Sequence, residues 1–481
     1  MNPQEETPIY DALQRYIENR IVSFDVPGHK QGKGHSALLD AFGEKCLSMD
    51  LNSSKPLDNL THPTSAIRES EALAAAAFGA GWAFMMVNGT TSAVQAMIFS
   101  CCKRGDEVIL PRNVHKSVIN ALVLCGAVPV YVNPGVNREL GISLGMSVKD
   151  VAAAMDRHPH AKAVFINNPT YYGVCSDLRT LVDMAHQRGM KVLVDEAHGT
   201  HFYFGAGLPL SAMAAGADMA SVSMHKTGGS LTQSSMLLLK YKKDAGLVRQ
   251  IINLTQTTSA SYLLMASLDI ARKNLVLHGK ETFRRVKELA EYARSEVNKM
   301  EGLRAFGKEI IDNDAVFDFD VTKLSIHTRD LGLAGIEVYD LLRDEFGIQI
   351  EFGDIGNVLA IISVGDRELE IERLLGALSE IRRRFRRDPM NMLDHEYIDP
   401  LVVMSPQEAF YSQKRTVAIE KSQGLVSGEF VMAYPPGIPI LAPGERITEE
   451  IIDYIRYAKA KGCMLMGTKD INMNFIEIVE E

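Results

Sequence analysis

The sequence predicts an α/β fold: a large domain around a mainly parallel, seven-stranded sheet, joined by a small α+β lobe and a C-terminal domain. Three observations predict it. From about residue 60 to about residue 290, short apolar runs alternate with runs of helical period, the pattern of strands joined by crossover helices. The residues that follow the apolar runs are polar and specific, as expected where ligands meet the carboxyl ends of parallel strands. At 481 residues the chain exceeds the roughly 50–250 residues of a single domain.

The expected strands are 84–87, 107–110, 128–132, 163–166, 191–194, 219–223 and 235–239. Runs such as 91–101 and 178–188 carry apolar residues at helical spacing and serve as connections. A long helical pattern near 262–300 leads to the small lobe, where 315–321 and 358–364 read as strands around a helical run near 335–346. A break at Asp388-Pro389-Met390-Asn391 precedes a last segment marked by Tyr434-Pro435-Pro436-Gly437-Ile438-Pro439. Its stacked prolines remove backbone donors and fix φ, which makes a rigid loop. The expected division is an N-terminal arm over 1–60, a large domain over 61–300, a small domain over 301–390 and a C-terminal domain over 396–481.

Composition excludes several function classes. The net charge of −9, with no Lys/Arg stripe of the kind that tracks a phosphate backbone, argues against nucleic acid as a partner. The one dense basic patch, Arg382-Arg383-Arg384 with Arg386-Arg387, ends a periodic run from Arg367 and reads as cations opposing a helix macrodipole. The six cysteines show no paired spacing, which points to a reducing compartment and no disulfides. The N-terminal stretch has no basic start followed by an apolar run, and no segment approaches the ~18–20 apolar residues of a membrane span. A cytoplasmic protein is expected.

Three motifs carry chemistry. Asn88-Gly89-Thr90-Thr91-Ser92 sets glycine and hydroxyl residues between a strand and a helix, where free N–H groups and hydroxyls can seat a phosphate; a plain N-cap has the same composition. Asp195 ends an apolar strand, where its carboxylate can hold a pyridine nitrogen protonated; a metal site of Asp195, His198 and His201 competes with that reading. Lys226, in Ser223-Met224-His225-Lys226-Thr227-Gly228-Gly229, closes another strand; desolvation there favours the neutral amine that forms an imine, whereas a lysine beside two glycines is commonly a solvated loop residue.

Taken in order, the phosphate seat, the strand-end Asp and the strand-end Ser-x-His-Lys resemble the pattern of fold-type I enzymes that use pyridoxal 5'-phosphate (PLP). The chain is further similar, nearly end to end, to the bacterial ornithine/lysine/arginine decarboxylases. The resemblance runs through Phe24-Asp25-Val26-Pro27-Gly28-His29-Lys30, Pro111-Arg112-Asn113-Val114-His115-Lys116-Ser117, Asp195-Glu196-Ala197-His198, Ser223-Met224-His225-Lys226, and the segment from Tyr434 to Pro439 with Pro443-Gly444-Glu445. It implies that Lys226 carries the cofactor as a Schiff base, that His115 stacks on its ring and that Asp195 pairs with the ring nitrogen. It also implies cofactor contacts from Thr90, Thr91, Ala197 and Ser223, and a phosphate or proton-transfer role for His225. Thr257-Thr258-Ser259 resembles the segment given across a dimer interface, with Thr258 on the partner's phosphate.

Because Pro27-Gly28-His29-Lys30 comes so early, the response-regulator-like N-terminal domain of the inducible members is expected to be absent. The resemblance is to the short, biosynthetic branch, similar to Gram-positive arginine decarboxylases that form agmatine for polyamines. It implies a homodimer or dimer-based oligomer with active sites at the interface, acting on a small basic amino acid. Lysine and ornithine decarboxylation remain alternatives, as does a PLP aminotransferase or aldolase, although a transaminase normally adds an arginine clamp for the substrate carboxylate. The substrate's distal cation calls for a carboxylate, with Glu445, Asp25 and Asp58 as candidates.

Overall fold

The computed structural model describes residues 2–34, 36–388, 401–433, 438–460 and 462–480. The break at 389–391, the start of the last segment at 396 and residues 434–437 of the proline loop therefore lie outside the described residues. The chain divides into two compact units, Met1–Ser100 with Leu193–Phe283, and Cys101–Val192 with Arg284–Glu481. All seven expected strands are present within a seven-stranded sheet.

In the first unit, helices α1 (Pro8–Glu18) and α2 (Ala66–Ala77) precede strand β1 (Trp82–Met86) and helix α3 (Gly89–Cys101). In the second, β2 (Glu107–Pro111), α4 (Lys116–Cys125), β3 (Val128–Val132), α5 (Val148–Arg157), β4 (Ala163–Asn167) and α6 (Leu178–Gln187) alternate as the apolar periods predict. β2 pairs in parallel with β3 and with β4. These strands are apolar nearly throughout, because a parallel sheet covered on both faces leaves no strand residue facing water.

Strand β5 (Lys191–Asp195) is parallel to β6 (Met219–Val222), whereas β7 (Ser235–Leu239) runs antiparallel to both β6 and β1. The reason is local. The link between β6 and β7 holds one short helical turn, Met224–Thr227, and a parallel return needs a full crossover, usually a helix. The long helix α7 (Tyr262–Val297) matches the expected pattern.

The small lobe differs from the expectation in its strands. Its sheet is antiparallel, built from β8 (Arg304–Phe306), β9 (Lys323–His327), β10 (Phe352–Gly353) and β11 (Asn357–Ile361), with β9 between β8 and β11. The expected strand over 315–321 shrinks to Asp318–Phe319, which pairs with Val174–Cys175 and is no part of that sheet. Aspartates cause this, since Asp312 accepts the Val316 N–H at 2.8 Å and Asp320 accepts the Thr322 N–H at 3.0 Å. Side chains that bind their own backbone take it from the ladder.

Helix α8 (Gly335–Asp344) falls where expected, and α9 (Glu368–Phe385) ends on the basic patch. The patch is a salt-bridged helix end: Arg383 meets Glu380 at 2.6 Å, Arg384 meets Glu345 at 2.7 Å and Arg386 meets Glu301 at 2.8 Å. In the C-terminal part, β12 (Lys414–Ala418) pairs with β16 (Phe475–Val479), and β13 (Val431–Ala433) lies between β14 (Ile438–Leu441) and β15 (Leu465–Met466). Helix α10 (Glu449–Ala460) packs Ile451, Ile452 and Ile455 into a cluster with Val431, Leu441 and Ile476. No helix among the described residues is long and apolar enough to cross a membrane.

Candidate active site

The first unit gathers the polar ends of β1, β5, β6 and β7. After β1 the chain turns at Gly89, whose φ of +73° is a left-handed value that side chains disfavour. That turn starts α3 at once, so Thr90 and Thr91 stand in its first turn, where backbone N–H groups have no acceptor within the helix. Thr90 is half-buried and Thr91 exposed. The Thr90 hydroxyl bonds to Ser223, at the end of β6, and lies 3.0 Å from the Ser235 hydroxyl at the start of β7. Three hydroxyls from three elements thus meet beside a helix N-terminus.

Asp195 closes β5 and is buried. Its Oδ1 accepts the Ala197 N–H at 3.1 Å, and the Ser221 hydroxyl lies 3.4 Å away. Burial pushes the Asp195 carboxyl up, against the pull of the Lys226 charge and these two bonds. A buried carboxylate of this kind gains from a cationic partner. Glu196, next in sequence, is wholly buried; burial raises it to about 8 even though Tyr203 donates to it and the Ala212 N–H binds it at 2.9 Å. The two adjacent acids therefore do different work, with Glu196 tying the strand end to the following turn.

Lys226 sits in the helical turn that Ser223 opens, its own N–H donating to the Ser223 carbonyl at 3.1 Å. Its Nζ lies 2.9 Å from Nε2 of His198. The Thr200 hydroxyl donates to the Ser223 carbonyl at 3.2 Å, and His201 Nδ1 lies 3.2 Å from the Thr227 hydroxyl, so the segment after β5 braces the lysine turn. Gly228 has no room for a side chain, as a Cβ there would come within 2.8 Å of the Met224 carbonyl oxygen. His225 turns to the β7 side, with Nδ1 3.0 Å from the Ser234 carbonyl oxygen.

In the second unit, His115 is the N-cap of α4; its Nδ1 accepts the Ser117 N–H at 3.2 Å and lies 2.9 Å from the Ser117 hydroxyl. That bond leaves Nε2 as the protonated nitrogen. Thr258 lies on an exposed loop of the first unit between buried Gln256 and Ala260.

The three carboxylates expected to receive a substrate cation have other occupations. Glu445 is buried with its Oε2 2.9 Å from Arg112 Nη2 and 2.7 Å from the Ala442 N–H. Asp58 accepts N–H groups of Asn59, Thr64, Ser65 and Ile67, which order the approach to α2; burial raises its pKa, but these bonds outweigh that and lower it. Asp25 is exposed, held low first by the Ser23 hydroxyl.

Reading the sequence for roles missed His198 as the contact of Lys226, and missed Ser221 and Ser235. The signals were present. Ser221 and Ser223 share a face of β6 by the two-residue period of a strand, and Ser235 opens β7.

Comparisons with known proteins give the family of the chain and the likeness of its fold. The family model for the Orn/Lys/Arg decarboxylase major domain matches residues 7–370, and that for the C-terminal domain of the same family matches residues 390–469. The chain belongs to the Orn/Lys/Arg decarboxylase family. Among its relatives, the arginine decarboxylase of Bacillus subtilis (strain 168) is 42% identical over 99% of this chain and 99% of that protein. In fold, this decarboxylase-family chain is similar to the constitutive lysine decarboxylase of E. coli, with a TM-score of 0.84 at 21% identity over 99% of this chain and 82% of that one. A more distant solved structure, the ureidoglycine-glyoxylate aminotransferase of Bacillus subtilis, gives a TM-score of 0.55 at 15% identity over 68% of this chain and 87% of that one.

Proposed function

We propose that this chain removes the carboxylate of a basic amino acid, L-arginine by preference, giving agmatine and CO2, with PLP as its cofactor. The observation that carries the reading is the Lys226 amine 2.9 Å from His198 Nε2, in the unit that also holds Asp195 and the Thr90, Ser223 and Ser235 hydroxyls. PLP suits that donor set. It needs an amine to condense with its aldehyde, an acid for its ring nitrogen and N–H and hydroxyl donors for its phosphate. Lys226, Asp195, Thr90, Thr91 and Ser223 would supply these, with Ala197, His115 and His225 as further contacts.

Bound PLP supplies the electron sink that takes the pair left behind when CO2 departs. The other steps fall to this chain's residues. Asp195, buried at the end of β5, would hold a proton at the ring nitrogen through a charge-assisted bond, the cation offsetting the cost of burying the carboxylate. Lys226 Nζ would hold the cofactor until substrate binds and would then carry a proton to the substrate's α carbon. His198 Nε2 can take that proton from Lys226 or return it. Thr258, on its exposed loop, suits a donor to the phosphate of a second copy, so a homodimer completes the proposed site.

Arginine is favoured because a relative that is 42% identical over nearly the whole chain bears the name arginine decarboxylase. The experiment is direct. PLP-loaded protein is given L-arginine, L-lysine and L-ornithine in turn, and the amine product is identified. Agmatine as the main product is expected. Cadaverine or putrescine would replace arginine with lysine or ornithine, and no amine from any of the three would refute decarboxylation of basic amino acids.

A further inference from the structure

The second unit contains a cavity of about 460 Å³ whose lining includes none of Lys226, Asp195 and His198. Its walls come from the segment after β4, from α8 with β10 and the turn that follows, and from the C-terminal part of the chain. Aromatic rings dominate. Tyr171, Tyr172, Tyr339, Phe352 and Tyr454 all line it, and the rings of Tyr171 and Tyr172 meet Phe352 edge-on at 5.5 and 5.7 Å.

The charges in the wall are unevenly matched. Arg343 lies 2.6 Å from Asp344 and 2.9 Å from Asp340, and Arg112 lies 2.9 Å from Glu445 and 2.7 Å from the Pro439 carbonyl oxygen. Both guanidiniums are thus committed to acids and carbonyls. Asp354 is the exception. Its partners are the Tyr172 hydroxyl, the Gly356 and Asn357 N–H groups at 2.7 and 2.6 Å, and the Asn357 side-chain amide, all neutral donors. No basic side chain is bonded to it among the described residues. Burial raises its carboxyl to about 6 in spite of those bonds.

A half-buried acid with only neutral donors, in an aromatic wall, asks for a cation: the acid gains a counter-charge and the ring faces attract it. An anion would meet that acid with no guanidinium left to receive it. The volume lies inside the ~300–1,000 Å³ of small-molecule sites.

We infer that this cavity binds an aliphatic di- or polyamine, with one ammonium on Asp354 and the methylene stem along the Tyr171, Tyr339 and Phe352 rings. The site bridges α8 of the small lobe and the C-terminal part, so occupancy ties those two segments together.

The test uses PLP-loaded enzyme titrated calorimetrically with 1,4-diaminobutane and with spermidine, with and without saturating α-methylarginine, a substrate analogue that keeps its α-carboxylate and so is not itself a di- or polyamine. Saturable binding that persists with the analogue present is expected. Asp354→Asn should weaken it about tenfold or more, the loss of one charged hydrogen bond. Because Asp354 also orders its own turn, Tyr339→Leu gives a second arm: it removes a ring and leaves that turn intact, and should weaken binding as well. Unchanged affinity in both folded variants, or binding abolished by the analogue, would overturn the inference, as would sulfate binding the cavity in place of the amine. Failure of the decarboxylation reading is read separately, from the amine product.

Discussion

Two lysines of this chain are withdrawn from water, and the protein treats them in opposite ways. Lys323, on β9 of the small lobe, is wholly buried, and its ammonium lies 2.9 Å from the equally buried Asp320. Lys226, after β6, is half-buried, and its amine lies 2.9 Å from an imidazole. A carboxylate at that distance makes the lysine one half of a buried ion pair, which holds the side chain in place and whose loss would leave a buried anion alone. An imidazole can accept a proton and give it back, which lets the amine change state as a nucleophile must. Burial of a lysine is therefore not what marks chemistry; the partner is.

The sharpest break of this comparison is at Lys226. Lys226→Ala in PLP-loaded preparations should lower CO2 release by roughly 10³-fold or more and remove the visible absorbance of the bound cofactor, with little change in unfolding temperature. A variant that released CO2 at the normal rate would remove Lys226 from the mechanism.

Lys323→Met should give the mirror image. It leaves Asp320 buried without its cation, which costs about 3–5 kcal/mol of stability in denaturant unfolding. Turnover per folded, cofactor-loaded molecule should stay as it was. Lost turnover with unchanged stability would mean that the two lysines are not distinguished as argued.

His198→Ala tests the partner itself. Taking away an imidazole that relays a proton should reduce kcat by about 10²-fold, with cofactor absorbance retained and KM nearly unmoved. A change confined to KM would make His198 a substrate contact and leave Lys226 without its relay.

How much of this was legible in the sequence follows from the range of the interactions. The seven strands and the residues at their carboxyl ends were readable because apolar period and strand-end polarity are local signals, and a parallel sheet delivers strand ends to one side. Asp195, Lys226 and Thr90 came from that logic. The carboxylates did not. Glu445 stands in a conspicuous motif, yet its partner Arg112 is 333 residues away, and nothing within a few residues of either one announces the pair. The occupation of Asp58 was hidden for a related reason, since the four N–H groups it accepts belong to a loop whose shape the sequence does not print. The strand expected over 315–321 failed because alternation of apolar residues was counted there and aspartate-to-backbone bonds were not. His198 shows a third limit: the motif was visible, but which histidine faces the lysine depends on how the turn after β5 folds back.

The smallest expected effect concerns the acid beside Asp195, and it tests whether adjacent acids are kept in different states. Glu196 is raised from 4.5 to about 8, because burial outweighs the bonds from Tyr203 and Ala212 that pull it down. The folded chain thus keeps a proton that the unfolded chain releases at lower pH. The sign follows from linkage: the contribution is full below pH 4.5, the unfolded value, and is lost as pH rises through about 8. Glu196→Gln has no proton to lose and keeps the shape of the neutral acid, so its stability should not carry this slope. Unfolding midpoints of the two proteins, measured across that window, should draw apart with rising pH, the wild type falling relative to the variant. Parallel curves would mean that Glu196 is ionised in the fold, and the division of work between it and Asp195 would have to be redrawn.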